Sequence, residues 1–188
     1  KTLLGDLGVG DRRGAFIGHV FSDGPAAKGG LKPGDYVTDI DGKSVASMDQ
    51  LVRIVGDLPV GSKSVFTVFR DGASVKTTVT IDERKETGAS DYARLWPGLE
   101  VVTIDASMAE AQKLAKNTKR AIVTSVVARS PVATLGIKVG DVITAMNDVP
   151  INGASAFYRL LNDSKSQKVQ FTLLREGQSL TTLALVRK

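Results

Sequence analysis

The sequence of 188 residues contains no cysteine and a single histidine, His19. Without cysteine the chain can form no disulfide, offer no thiolate nucleophile and hold no zinc through sulfur. One histidine is too few for a metal site built on imidazole groups, so we predict neither a metal ion nor a cofactor. Long apolar runs are also missing, since none approaches the roughly 20 residues that span a bilayer. We therefore predict no membrane insertion.

Charge and hydrophobicity argue against two further classes of protein. The chain is 42% hydrophobic and 24% charged, which is too apolar for a disordered segment. Its net charge of +5 could suggest nucleic-acid binding, which needs a clustered basic patch. The basic residues are instead scattered singly or mixed with acidic ones, as in residues 82–86. Nucleic acid is therefore not a predicted partner.

The chain repeats itself. Residues 24–37 recur at positions 130–143, and residues 69–72 recur in similar form at 174–177. A duplication of this extent indicates two domains of the same fold. The residues shared by the two stretches are Pro25, Ala27, Gly30, Lys32, Gly34 and Asp35, which return as Pro131, Ala133, Gly136, Lys138, Gly140 and Asp141.

The repeat divides the chain into two domains and a linker. We predict a first domain at residues 1–82, a polar linker at 83–94 and a second domain at 95–188. The linker holds no apolar side chain larger than alanine before Tyr92, which is typical of a connecting segment.

Each copy predicts the same order of elements, and the fold class is mainly β with short helices. A strand is followed by a one-turn helix, a turn, a buried strand, a longer helix and a closing hairpin. Such a copy is a partly open β barrel or sandwich. The predicted strands are 15–21 and 121–127, then 36–40 and 142–146, and the predicted hairpins are 65–81 and 169–186.

The longer helix has a clear start and one apolar face in each copy. Ser47 and Gln50 form a capping box at its start in the first copy. The apolar residues follow at helical spacing. They are Leu51, Ile54 and Val55 in the first copy, and Phe157, Leu160 and Leu161 in the second.

Four short stretches of the first copy together resemble a bacterial PDZ domain, and the second copy is similar. They are residues 14–17, 25–27, 30–37 and 40–42. The tandem pair resembles the PDZ region of HtrA/Do-family (Deg-type) periplasmic serine proteases. The resemblance implies a periplasmic location and an upstream protease domain. The Gly-Asn-Ser-Gly-Gly type of nucleophile motif is absent here, so no catalytic residue is predicted in this chain.

The resemblance also implies the partners. PDZ domains of this family would bind the hydrophobic C-termini of unfolded or misfolded envelope proteins by β-strand addition. They would gate the protease and help to assemble a homo-oligomer. One alternative is an interaction scaffold that holds subunits together and binds no substrate. The third possibility, an enzyme in its own right, is disfavoured because the nucleophile motif is missing.

A PDZ domain needs a glycine-containing loop for the peptide carboxylate, a pairing strand and a helix that lines an apolar pocket. The second copy supplies all three. The amides of Gly98 and Leu99 are predicted to face the carboxylate. The alternative is that Trp96 and Leu99 simply plug the mouth of the barrel, and one or two of the helix residues are expected to be core only. The predicted site consists of Trp96, Pro97, Gly98, Leu99, Glu100, Val101, Phe157, Leu160 and Leu161.

The first copy is predicted to be truncated at its N-terminus and to lack the loop and the pairing strand. Residues 2–7 are interpreted as the counterpart of a helix at 108–116 in the second copy. The motif Leu7-Gly8-Val9 is therefore not predicted to lie in an open groove. The remaining half-groove is assigned to Met48, Leu51 and Val55.

Three other features have weaker functional interpretations. The glycine spacing at residues 8–14 resembles a phosphate loop only faintly, because no strand precedes it and no helix follows. His19 is interpreted as a half-buried strand residue, with a pH switch as the less favoured alternative. Asp35 and Asp141 are predicted to cap turns.

Overall fold

Short helices and antiparallel strands alternate through both copies of the repeat. The predicted mainly β fold with short helices is confirmed, whereas the domain boundaries stay a prediction. Half of the predicted linker, residues 84–87 and 89–90, lies outside the described residues. The structure is a computed structural model, and it describes residues 2–83, 88, 91–163 and 167–186.

The first copy begins with a helix and ends with a long hairpin. Its elements are α1 (Thr2–Asp6), β1 (Ala15–Phe16), β2 (Val20–Phe21), α2 (Pro25–Lys28), β3 (Tyr36–Ile40), β4 (Lys43–Ser44), α3 (Met48–Gly56), β5 (Lys63–Arg70) and β6 (Ala73–Thr80).

The second copy is preceded by a short 3₁₀ helix, Asp91–Arg94, and contains another at Val132–Leu135. Its other elements are β7 (Leu95–Trp96), β8 (Leu99–Thr103), α4 (Ala106–Ala111), β9 (Ala121–Val126), β10 (Val142–Met146), β11 (Val149–Pro150), α5 (Gly153–Leu161), β12 (Lys168–Val169), β13 (Phe171–Arg175), β14 (Gln178–Thr181) and β15 (Leu185–Val186).

Each copy has one main antiparallel sheet. The order is β1-β3-β5-β6 in the first copy, with β4 beside β3, and β14-β13-β10-β9-β8 in the second, with β11 beside β10. Two small pairs remain: β12 with β15, and β2 with β7. In the part of the chain that the structure describes, no sheet closes into a barrel. The pairing of β2 with β7 joins the two copies.

Three sequence predictions need correction. The strand predicted at 15–21 is divided into β1 and β2, because Ile17 exchanges hydrogen bonds with the 34–35 turn and Gly18 follows it. The helix predicted at 108–116 is α4, which starts at Ala106 because the Asp105 carboxylate accepts from the Met108 amide, and which ends already at Ala111. The last hairpin is interrupted where the amide of Gln170 bonds the Asn147 side chain instead of a strand.

The predicted caps and turns are present. The Ser47 hydroxyl accepts from the Gln50 amide at 3.2 Å, and the Gln50 side chain accepts from the Ala46 amide at 2.8 Å. Gly30 and Gly136 end the two short helices with φ of +92° and +72°, conformations that glycine adopts without penalty. Local sequence therefore determines these positions.

The recurring aspartates do cap turns, and each also holds an arginine that the sequence analysis missed. Asp35 is fully buried and accepts from the Lys32 amide at 2.8 Å and from Arg70 at 2.6 Å. Asp141 repeats the arrangement with the Lys138 amide and Arg175. A bidentate arginine compensates the burial of a carboxylate. Both arginines recur at matching positions in the repeat, and this recurrence was the available signal.

The longer helices are buried to different depths. In α3 no residue is fully buried, and Leu51, Ile54 and Val55 pack only partly onto the first core. In α5, by contrast, Phe157 and Leu161 lie within the core of the second copy. Burial of a side chain of this size contributes about 1.5–3 kcal/mol, so α5 is the more firmly anchored helix.

Candidate peptide-binding site

The three predicted parts of a peptide groove meet in the second copy. The segment 95–98 leads directly into β8, and α5 packs beside β8. β8 is the last strand of its sheet, so the edge that faces away from β9 is unpaired within that sheet. An end strand of this kind is what β-strand addition requires.

Gly98 leaves no space for a side chain of its own, because the Ser130 side chain packs closely against it. Its φ is +84°, and a Cβ at this position would lie 2.1 Å from the Cβ of Ser130. The Ser130 hydroxyl donates to the Gly98 carbonyl at 3.3 Å, and the Val127 amide donates to the same oxygen at 2.8 Å. The Gly98 end of the loop is therefore fixed by its own domain. The role of its amides toward a carboxylate stays a prediction.

Several predicted site residues have buried side chains. Phe157, Leu161, Leu99 and Val101 belong to the core, in line with the expectation that some helix residues are core only. Trp96 is also buried there, and its indole N–H has no partner among the described residues. This burial favours the alternative, in which Trp96 and Leu99 serve only as packing residues. It leaves open the backbone role predicted for the loop.

The remaining predicted residues differ in exposure. Pro97 is buried in the loop, Glu100 is half-exposed, and Leu160 packs partly against the core. In the first copy Met48 is 45% exposed, while Leu51 and Val55 are partly covered by the first core. The half-groove assigned to these three stays a prediction.

Leu7-Gly8-Val9 does not lie in an open groove. Leu7 and Val9 are buried in a small cluster with Tyr36. The helix α1 precedes them at the place where α4 stands in the second copy. Both observations agree with the interpretation of residues 2–7 as a counterpart of the α4 region.

Tyr158 is a site residue that the sequence analysis missed. It is only 2% exposed, and its hydroxyl accepts from the Val101 amide at 3.3 Å, on the edge of β8 that faces away from β9. Burial raises the pKa of the Tyr158 phenol well above its usual value. The counterpart of Tyr158 in the repeat is Val52, which is 51% exposed. The signal available in the sequence was a tyrosine at a position where the first copy has a valine.

The first copy lies against this same helix. The Phe16 ring meets the Tyr158 ring edge-on, with centroids 5.5 Å apart. The Asn162 amide donates to the Pro33 carbonyl at 2.7 Å. A Cβ on Gly34 would lie 2.6 Å from the Cβ of Tyr158, so the turn of the first copy touches α5 directly.

The first copy also meets the start of the groove. Val20 and Phe21 pair with Trp96 and Leu95, and α1 packs against both α5 and β8. Gly18 lies against the Glu100 side chain.

His19 is half-buried, as predicted, but lies between two strands rather than within one. Its Nδ1 is 3.8 Å from Glu100 Oε1. Burial lowers the pKa of His19, and the Glu100 charge partly opposes that effect.

A sequence profile of the PDZ domain matches residues 5–81 and 103–185. The chain belongs to the PDZ domain family. Its two copies are a first and a second PDZ domain. Among the described residues no helix is long and apolar enough to cross a membrane.

Curated relatives with the same pair of copies are proteases. The chain is 31% identical to the probable periplasmic serine endoprotease DegP-like of Pseudomonas savastanoi pv. phaseolicola, covering 95% of this chain and 39% of that protein. It is 31% and 30% identical to the periplasmic serine endoproteases DegP of Salmonella typhimurium and Escherichia coli K12, in each case covering 97% of this chain and 36% of the relative. The chain thus spans less than two fifths of these relatives. Their names agree with the predicted periplasmic location.

Solved structures of a protease of the HtrA type also resemble the PDZ pair. The HtrA-type protease AlgW with a decapeptide has a TM-score of 0.41 and 17% identity, covering 67% of this chain and 50% of that one. AlgW with a tripeptide has a TM-score of 0.42 and 16% identity, covering 84% and 55%. A likeness at this level supports no further statement about the PDZ pair.

Proposed function

We propose that the chain is the peptide-binding, regulatory part of an HtrA/Do-like periplasmic serine endopeptidase. It recognises hydrophobic C-termini of unfolded proteins by β-strand addition in the second PDZ domain. Binding there gates the protease or assembles its subunits. No catalytic step is assigned to the residues of this chain.

The observation that carries the proposal is the geometry of β8. Its outer edge presents the Val101 amide toward α5, and the Gly98 turn lies immediately before the strand. A peptide strand beside β8 would take over the hydrogen bond now made by Tyr158. Its terminal carboxylate would then lie near the Gly98 turn, where backbone amides can hold an anion.

The second candidate function is an interaction scaffold. It is favoured by the packing of Phe16, Pro33 and Gly34 onto α5, because a covered groove offers less space for a peptide. In that case the second PDZ domain binds a neighbouring domain instead of a substrate.

Fluorescence anisotropy with a labelled peptide distinguishes the two functions. The peptide ends in an apolar residue and is made with a free or an amidated carboxyl group. We expect the free carboxylate to bind at least about tenfold more tightly, because charge-assisted hydrogen bonds are lost on amidation. Equal affinity for both peptides would support the scaffold.

Two glycine-to-alanine variants test whether Gly98 is responsible for the preference for a free carboxylate. Gly98→Ala should abolish the preference for the free carboxylate. Gly177→Ala is the matched control, since Gly177 has a similar φ of +81° but no atom within 4 Å of an added Cβ. Circular dichroism of both variants checks that the second domain stays folded. Loss of the preference in both variants would contradict a specific role of Gly98.

A further inference from the structure

The edge of β8 is closed by a side chain that the first PDZ domain holds in place. The Tyr158 hydroxyl occupies the Val101 amide, which an added strand needs. The ring is packed between Phe16 and the Gly34 turn, where no space remains for even one more carbon. Because Phe16 and the Gly34 turn pack against this ring, the first domain restrains any movement of Tyr158 away from the Val101 amide.

The loop that begins the groove is fixed to the first domain by a matched strand. Val20 of β2 pairs with Trp96 of β7. Its counterpart in the repeat, Val126 of β9, pairs with Leu99 of β8. Thus β7 takes the place on the first PDZ domain that β8 takes on the second. The pairing of β2 with β7 therefore repeats a strand pairing that the second domain makes within its own sheet, as expected of a specific interface.

The polar contacts of this interface are incomplete. Asn162 donates to the Pro33 carbonyl, but its own side-chain oxygen is buried without a partner among the described residues. The Nδ1 of His19 is buried in the same unpartnered state at 3.8 Å from Glu100. Buried polar atoms without partners weaken a contact. The two domains therefore fit each other closely, but these incomplete polar contacts allow them to separate.

From these contacts we infer that the first PDZ domain and a peptide are alternative occupants of one groove, between β8 and α5 of the second PDZ domain. This inference rests on the proposed function of that groove. The closed form has the first domain seated on the groove, and peptide binding separates the domains. The apparent affinity for peptide is then lowered by the fraction of molecules in the open form.

A pair of introduced cysteines locks the closed form. A Cβ on Gly18 would lie 2.8 Å from Cγ of Glu100. Because Cγ is one bond away from the Glu100 Cβ, the two Cβ atoms are within reach of a disulfide, which needs a Cβ separation of about 3.5–4.5 Å. The chain has no other cysteine, so Gly18→Cys/Glu100→Cys in the full chain forms one defined bond. The single variants are the controls.

Formation of this disulfide tests the docking without any peptide. We expect mild oxidation to give an intramolecular bond in a monomer that keeps its circular dichroism spectrum. A bond between two chains would identify a second copy as the occupant and overturn the inference. Failure to form any bond would overturn it as well.

Peptide binding by the same protein tests the competition. We expect the oxidised form to bind the labelled free-carboxylate peptide at least about tenfold more weakly than the reduced form. Equal affinity with the bond formed would overturn the inference. If the disulfide forms but the oxidised protein, the reduced protein and the unmodified chain all fail to bind peptide, the proposed function is wrong. Competition in the groove is then excluded as well, whereas docking of the first domain is still supported.

An opening variant provides the converse test. Gly18→Asp places a carboxylate against Glu100 across the interface, and like charges repel. We expect it to bind the peptide several-fold more tightly than the unmodified chain. Gly18→Ser, which adds bulk without charge, is the matched control. Weaker or unchanged binding by Gly18→Asp, with its spectrum intact, would argue against competition.

Discussion

The two PDZ domains share their turns, their central strands and a buried aspartate–arginine pair, yet they treat the longer helix differently. In the first domain α3 has no fully buried residue, and Val52 projects into solvent. In the second domain the corresponding helix α5 buries Phe157 and Leu161 below and Tyr158 against the neighbouring domain. The difference shows that one fold can offer an open helix face in one copy and a covered groove in the other.

The cause of this difference is the strand beside the helix. In the second domain β8 pairs with β9 and packs against α5. In the first domain, among the described residues, the matching edge of β2 pairs with β7 of the second domain. Because β7 has two residues whereas β8 has five, α3 has a much shorter strand at this edge than α5 has to cover its inner face.

The largest expected effect comes from replacing a leucine by alanine in each of the helices α5 and α3. Leu161→Ala should lower the free energy of unfolding of the second domain by about 2–5 kcal/mol, because Leu161 is fully buried. Leu51→Ala should cost the first domain only about 1 kcal/mol, since Leu51 is partly exposed.

Urea unfolding followed by two signals measures this pair. Trp96 is the only tryptophan and lies in the second domain, so its fluorescence reports that domain, while circular dichroism reports both. Equal losses of stability in the two variants would contradict the difference in burial between α3 and α5.

The smallest expected effect is a pH dependence of the contact between the domains. Burial lowers the pKa of His19 below 6.5 in the closed form, and separation would return it toward that value. The open form therefore binds more protons, so acidification through pH 6.5 should favour opening. Glu100 of β8 is the charged group that faces His19, and it reduces the effect.

Peptide affinity measured between pH 7.5 and 5.5 tests this dependence. We expect a modest rise in affinity toward acid in the unmodified chain and a flat profile in His19→Gln. A profile that is identical in both proteins would show that His19 does not contribute.

Local chemistry made much of the fold predictable. Pro25 starts a helix, Gly136 ends one, and the strands at 36–40 and 142–146 follow from their apolar runs and the turns before them. The repeat strengthened each of these predictions, because the same motif occurs at corresponding positions in both copies. The recurring arginines could have been found in the same way.

The contacts between the domains could not be predicted in this manner. Phe16 and Tyr158 are distant in sequence, and nothing in the local pattern of either indicates that the two rings meet. The same holds for Gly34, which local sequence identifies as a turn glycine, while only the tertiary structure shows it against α5. Such contacts depend on the relative position of whole domains.

The most direct test of competition in the groove is an NMR titration of the isotopically labelled full chain with the free-carboxylate peptide. The account predicts that amide signals of Val101 and Tyr158 in the second PDZ domain shift together with those of Phe16, Gly18 and Gly34 in the first, at one common midpoint. Shifts confined to the α5 and β8 residues would show that peptide binds while the domains stay docked. Shifts confined to the α3 face of the first domain would place the peptide elsewhere. Either result would contradict the account.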